Sequence, residues 1–326
     1  MNGAVRKGLR FFFFLFIGII ILWWLYRDQD PEELLAILKK DVAYGWIALS
    51  LLLGILSHLS RTIRWQMLIE PVEEKKPGLL NTFLAVMIGY LANLAIPRMG
   101  EISRCAVLSR YEKVSFPRLV GTVVTERILD MVMLLISLSI VVLLQYNLFM
   151  DVIQNKLNLD TVNEMLSSPW LALIALLIIS LPFVFRKHLI NSRILTKIKG
   201  LWNKFKEGFF SYRRVKNKPL FFLHTILIFV LYFLMVYVCF FGFPFTKDLG
   251  PTVGLAVFVM GSFGMVAPVQ GGIGPWHFLV ITTLLFFGVK SPQAAAFALL
   301  VHGSMNALIV ITGLLSLLAL PVVNKE

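Results

Sequence analysis

The sequence predicts an all-α polytopic membrane protein, and three observations predict it. Apolar residues come in blocks of about twenty instead of at amphipathic spacing, in a chain that is 58% hydrophobic. Basic residues fall mainly between those blocks, so the net charge of +13 reads as membrane orientation and attraction to anionic lipid, with no need of nucleic acid. Two blocks are broken by proline and glycine where a spanning helix should continue. The cysteines, Cys105 and Cys239, stand alone and form neither a disulfide framework nor a CxxC site.

The first block, "FFFFLFIGIIILWWLY" (11–26), follows Arg6, Lys7 and Arg10 as a signal peptide would. It has no small-x-small cleavage site and runs into Arg27 and Asp28, so it reads as a retained span. Further blocks cover 44–65, 79–97, 119–145, 169–185, 220–243, 251–268, 273–288 and 294–320. Loop charge decides how many of them cross. Between 186 and 218, eleven Lys or Arg residues face a single acid, Glu207, which puts this loop in the cytoplasm together with the basic N-terminus. That parity requires one of the first five blocks not to cross.

Block 79–97 is the one expected to fail. It is short, interrupted by Gly89, closed by Pro97 and followed by Arg98, Arg104, Arg110, Lys113 and Arg118. Residues 79–112 therefore read as a re-entrant hairpin from the cytoplasmic side, turning between Asn93 and Glu101 with Asn93, Pro97 and Gly100 as its turn residues. "APVQGGIGPWH" (267–277) breaks the second half in the same way. Here Pro268, Gly271, Gly272, Gly274 and Pro275 turn a hairpin over 251–288 that dips from the external side.

The expected architecture is about six full spans plus two re-entrant hairpins, with eight or nine spans as the alternative. Residues 1–150 and 151–326 then form inverted-topology repeats, each ordered span, span, hairpin, span, with both termini cytoplasmic. The spacing agrees: 53 residues separate position 44 from 97, and 51 separate 220 from 271. Short broken segments at matching positions point to a binding site near the bilayer midplane. Non-helical backbone at that depth needs protein or a water-filled cavity around it, because lipid offers no hydrogen-bond partner. In the basic loop 186–218, Ile194, Ile198, Leu201, Phe205 and Phe209 recur at helical spacing between lysines, which describes an interfacial helix. "DPEELLAILKKD" (30–41) reads as a shorter helix with Pro31 at its start.

Charges inside the bilayer cost about 2.5–3.5 kcal/mol each on insertion scales, so they face a cavity or each other. The candidates for substrate contact are Arg98, Glu101 and Arg104 at the first hairpin and Glu126, Arg127 and Asp130 in "TERILD". Glu126 and Asp130 share a helix face, and Arg127 points about 100° away. Counted from Leu119 at ~1.5 Å per residue, they lie roughly 10 and 17 Å into the membrane. The expected partners of both carboxylates are Arg98 or Arg104; an interfacial, snorkelling Glu126–Arg127 pair is the alternative. In "HLSRTIRW" (58–65), His58, Arg61 and Trp65 share a face. Arg61 is a candidate for headgroup phosphate, which guanidinium binds bidentately, and Arg64 reads as a positive-inside anchor. His277 is either a proton relay or a satisfied polar residue. No HExxH, GxSxG, Walker loop, DxD or paired ligand spacing occurs, so no catalytic residue, metal or cofactor is expected.

"NLAIPRMGEISRCAVL" (93–108), "TERILD" (125–130), "RTIRW" (61–65) and "APVQGGIG" (267–274) together resemble the flippase-like integral membrane family, also called the lysylphosphatidylglycerol synthase transmembrane region. The resemblance covers nearly the whole chain. It implies a bacterial inner-membrane protein akin to the domain that translocates aminoacylated phosphatidylglycerol between leaflets, with relatives in glycolipid and polyprenyl-lipid pathways. Two departures limit what carries over. No aminoacyl-transferase domain occurs within these residues, so lipid aminoacylation is not expected. Some members carry an acidic residue soon after the second glycine-rich turn, where this chain has "PWHF" (275–278). The function expected is translocation of an anionic phospholipid or lipid-linked glycan. The rivals are a membrane-embedded transferase using a lipid-linked donor, with Glu101 or Asp130 as base, and a non-catalytic scaffold for envelope enzymes. Anionic membrane lipids are the expected partners, with room for a homodimer and for a lipid-modifying enzyme.

Overall fold

The computed structural model describes residues 3–73, 76–146 and 192–324, with side chains from 15 in the first stretch and from 200 in the last. The described residues form eleven α-helices and no strand. They are α1 (Gly3–Tyr26), α2 (Pro31–Lys40), α3 (Tyr44–Glu73), α4 (Leu79–Ala95), α5 (Gly100–Glu112), α6 (Phe116–Leu144), α7 (Ser192–Phe209), α8 (Lys218–Tyr237), α9 (Pro251–Val266), α10 (Pro275–Phe286) and α11 (Ser291–Val323). The expected span at 169–185, the first residues of the basic loop 186–218 and the division at 150 and 151 lie outside the described residues.

Six of these helices, α2, α6, α8, α9, α10 and α11, have proline in their first two positions. There the missing N–H costs nothing and the fixed φ already suits a helix. Of the prolines that break the hydropathy pattern, Pro275 is such a helix starter, while Pro97 and Pro268 lie outside the helices. Asp30 caps α2, accepting from the Glu32 N–H at 2.9 Å, and Asn217 caps α8, accepting from Leu220 N–H at 3.0 Å.

Among the described residues, four helices are long and apolar enough to cross a membrane: Tyr44–Glu73, Phe116–Leu144, Ser291–Val323, and α8 with its 3₁₀ extension to Gly242. Their lipid-type surface is plain in α11, where Ile311, Leu314, Leu315 and Leu318 are all exposed. Such a stripe has no place in water. The helices of the two broken regions are shorter, 17 and 13 residues in α4 and α5 and 16 and 12 in α9 and α10. A helical crossing takes about 20 residues and no fewer than about 17, a lower limit that only α4 reaches.

Hydrogen bonds fix the packing. Helices α3 and α8 run antiparallel, tied at Ser50–Met235 (2.6 Å), Ser60–His224 (2.9 Å) and Glu70–Lys216 (2.7 Å). Helix α11 is the common wall of both hairpins. At its C-terminal end Asn324 and Asn81 exchange two amide hydrogen bonds, at 2.9 and 3.0 Å. Farther along, a Cβ on Gly313 would lie 2.6 Å from the Cβ of Leu91, so α4 and α11 touch along this stretch. Nearer the middle of α11, the start of α10 packs beside it, with the rings of Trp276 and His302 stacked at 4.6 Å. The two turns meet near Asn306, the middle of α11: a Cβ on Gly271 would contact both Leu94 and Asn306. Arg98 of the first turn donates to the carbonyl of Val266 beside the second. Helix α1 closes the second turn, with Gly18 against the carbonyl of Ile273.

Candidate functional site

The first turn joins α4 to α5. The left-handed backbone belongs to Arg98 (φ 64°), while Gly100 is needed for another reason. A Cβ on Gly100 would lie 2.2 Å from the carbonyl oxygen of Gly89, so the absence of a side chain lets α4 and α5 touch backbone to backbone. The Asn93 side chain accepts from the Gly100 N–H at 2.7 Å and closes the turn. Pro97 lies between the two helices. In the second turn Gly271, Gly272 and Gly274 all have positive φ, as the sequence pattern requires, with Pro268 ahead of them and Pro275 opening α10.

Beside the first turn, α3, α5 and α6 bring four arginines and three carboxylates together: Arg61, Arg64, Arg104 and Arg127 with Glu101, Glu126 and Asp130. Glu126 is fully buried, and its Oε1 lies 2.5 Å from Arg61 Nη1, 2.5 Å from Arg127 Nη2 and 3.3 Å from Arg104 Nη2. Asp130 divides its oxygens. Oδ1 accepts from Arg64 at 2.7 Å, and Oδ2 accepts from Arg61 at 2.7 Å with Arg127 at 3.0 Å. Glu101 stands at the edge, 4.0 Å from Arg127 Nη1. The guanidinium of Arg104 lies over the Trp65 ring at 4.6 Å, and the Trp65 indole donates to Thr122 Oγ1 at 2.9 Å. The aromatic face adds cation–π attraction and holds the arginine in place.

Six of the eight expected substrate-contact residues gather here. Two do not. Arg98 turns to the other hairpin and reaches neither carboxylate, because its left-handed backbone lies at the junction of the turns. His277 stands in the second hairpin, edge-on to His302 at 4.8 Å, and its Nδ1 lies 3.5 Å from the Gly274 N–H at the start of its own helix. Arg64, expected as an anchor in the interface, is instead 0% exposed and paired with Asp130. Glu126 is likewise no interfacial group. Arg127 starts from a different face of α6, but its long side chain curls back to both carboxylates, a reach that Cα spacing alone understates.

Two tyrosines complete the wall, and sequence reasoning missed both. Tyr232 of α8 faces Arg61, its hydroxyl 3.4 Å from Nε and its ring 5.7 Å from Cζ. Tyr90 of α4 packs on His58 at 4.7 Å. Both sit in apolar runs, and only the pairing of α8 with α3 and of α4 with α5 brings them to the charges. A narrow cleft opens onto the nest between Val86, Tyr90, Asn93, Glu101, Arg104 and Arg127. Arg127, 38% exposed at the side chain, is the most accessible of the four arginine side chains. Several donors inside, Arg64 Nε and Nη1 and Arg127 Nε, have no acceptor among the described residues.

The chain matches the family model for the lysylphosphatidylglycerol synthase TM region over residues 11–313. It belongs to that family. No curated protein and no solved structure matches it. Membership in the lysylphosphatidylglycerol synthase TM region family makes this a membrane protein of a lipid-handling group. It also places the three sequence stretches of the nest, residues 61–64, 101–104 and 126–130, inside the matched region.

Proposed function

We propose that the protein translocates an anionic phospholipid or lipid-linked glycan between leaflets, with the nest on α3, α5 and α6 engaging the headgroup phosphate. One observation carries this reading: four guanidinium groups meet three carboxylates, a surplus of one positive charge held mostly out of solvent. Buried charge in a membrane protein is expensive unless paired, and a phosphate or other anionic headgroup supplies the missing partner. Guanidinium suits it, because its planar donors match two phosphate oxygens at once. In the conformation described the cleft is narrow, so the phosphate meets Arg127 and the Glu101 edge first. Arg61, Arg64 and Arg104 act behind them, and Glu126 and Asp130 hold the arginines in register.

The hairpins support the same reading. Both are built of helices shorter than the four long spans, they leave opposite ends of α11 and their turns meet at its middle. This arrangement supports reading them as re-entrant hairpins from opposite leaflets, in halves of inverted topology, around a midplane site. The end that carries Arg110, Lys113, Arg118, Arg213, Arg214, Lys216 and Lys218 is assigned to the cytoplasm. The other end mixes Arg27, Lys39, Lys40, Lys247 and Lys290 with Asp28, Asp30, Glu32, Glu33, Asp41 and Asp248. Both termini then lie in the cytoplasm and the membrane is a bacterial inner membrane.

The test is reconstitution in liposomes with fluorescent phospholipid on both leaflets and a quencher outside. Translocation exposes the inner label to the quencher and leaves the lipid's mass unchanged. A change in mass would make the protein a transferase, and an unmoved, unchanged lipid across anionic headgroup types would leave the scaffold reading.

A further inference from the structure

The basic loop ends in a surface that the headgroup site does not use. Helix α7 crosses α6 at a glycine pair: a Cβ on Gly208 would lie 2.1 Å from the Arg118 carbonyl oxygen, and one on Gly121 would lie 2.2 Å from that of Phe205. Arg118 pairs with Glu207 at 2.8 Å, and Thr125 Oγ1 donates to the Phe209 carbonyl at 2.5 Å. This fixes α7 against the first turns of α6, and it consumes the single acid of the loop. Turned outward are Leu201 and Trp202, 54% and 55% exposed, then Phe210 and Tyr212 at 41% and 39%. Lys204 and Lys206 alternate with them, and Arg213 spans the two last rings, 4.8 Å from Phe210 and 5.8 Å from Tyr212.

We propose that α7 and the turn after it form a docking surface for the anionic phospholipid headgroups of the leaflet at this end of the protein, separate from the translocation site. Charge complementarity selects the occupant. From 200 to 218 the chain offers Lys204, Lys206, Arg213, Arg214, Lys216 and Lys218, while Glu207 is paired to Arg118 and Lys216 to Glu70. Exposed tryptophan and tyrosine beside basic residues match the headgroup zone, where an aromatic body sits among glycerol backbones and cations meet phosphate. A basic side chain near an anionic surface strengthens association roughly fivefold, and the effect falls off within a Debye length of about 10 Å at 0.1 M salt. Because the α6 contact is backbone on backbone, the surface is held at fixed height relative to the nest.

The full chain carrying an environment-sensitive fluorophore at Asn203→Cys is placed in nanodiscs of phosphatidylcholine alone or with added phosphatidylglycerol. Phosphatidylglycerol is expected to shift the emission to the blue, and raised salt to reverse the shift. Replacing Lys204, Lys206, Arg213 and Arg214 with Gln is expected to remove most of the response, and the milder pair Lys204→Gln with Lys206→Gln roughly half of it. Emission indifferent to phosphatidylglycerol and to salt in the labelled wild-type chain overturns the proposal and turns the surface toward a soluble protein partner. A response reproduced by free phosphate in phosphatidylcholine discs overturns it as well. Lipid transfer is not read in this experiment, so its outcome is independent of the translocation assay.

Discussion

Asp130 receives three arginines on two oxygens, and that crowding sets what a single substitution does. Asp130→Asn removes the charge that orders Arg61, Arg64 and Arg127 while keeping the size of the side chain. The expected outcome is loss of lipid transfer in liposomes with unchanged amounts of protein in the membrane; unchanged transfer would remove Asp130 from the mechanism. Glu126 is the more enclosed of the two and fully buried by the surrounding helices. Glu126→Gln leaves several guanidinium groups short of a counter-charge and should lower stability by about 3–5 kcal/mol, the usual range when one side of a buried ion pair is lost. An unfolding titration in mixed micelles measures it. The carboxylates and Arg104 were legible as a group because intramembrane charges are rare and their spacing is informative. Arg64 was not, since one turn near a helix end looks like an anchor until its neighbours are known.

At the scale of elements, the hairpin of α4 and α5 depends on a missing side chain. Gly100→Ala places a methyl group against the Gly89 carbonyl and the Asn93 amide, and should force the two helices apart. A drop in melting temperature and loss of transfer are expected together. Gly303→Ala is the matched control: nothing lies within 4 Å of its Cβ position. In the interior of α11 alanine should be neutral or raise stability by about 0.5–1 kcal/mol. The sequence pattern located both breaks between short helices, because prolines and glycines are strong local punctuation. It named Asn93, Pro97 and Gly100 as turn residues without dividing the work among them. The left-handed residue is Arg98, and Gly100 serves a close helix contact that only the partner helix defines.

For the whole molecule, the ends are the informative feature. Glu112 accepts from Gly78 N–H and from Asn81, Glu73 accepts from Ser115 N–H, and Arg118 holds Glu207, so the end of α5, the starts of α4 and α6, and α7 share one end of the molecule. Cysteines introduced at Lys113 and Gly200 are therefore expected to react with an impermeant thiol reagent from the same side of the membrane, and one at Ser291 from the other. Positions 113 and 200 found on opposite sides would end the re-entrant reading of α4 and α5. The two native cysteines are buried and form no background.

The sequence by itself determined the class of this protein and the places where its membrane helices break, since hydropathy, charge between blocks and proline and glycine positions are properties of short stretches. Those local signals also marked Glu101, Arg104, Glu126 and Asp130 as costly charges in need of partners. Which partners they take was decided by tertiary structure alone. The antiparallel register of α8 on α3 brings Tyr232 to Arg61, the approach of α6 to α3 sinks Arg64 onto Asp130, and the junction of the turns diverts Arg98 to Val266. Contacts between residues far apart in the chain depend on how helices are set against one another, and no window of a single helix contains that information.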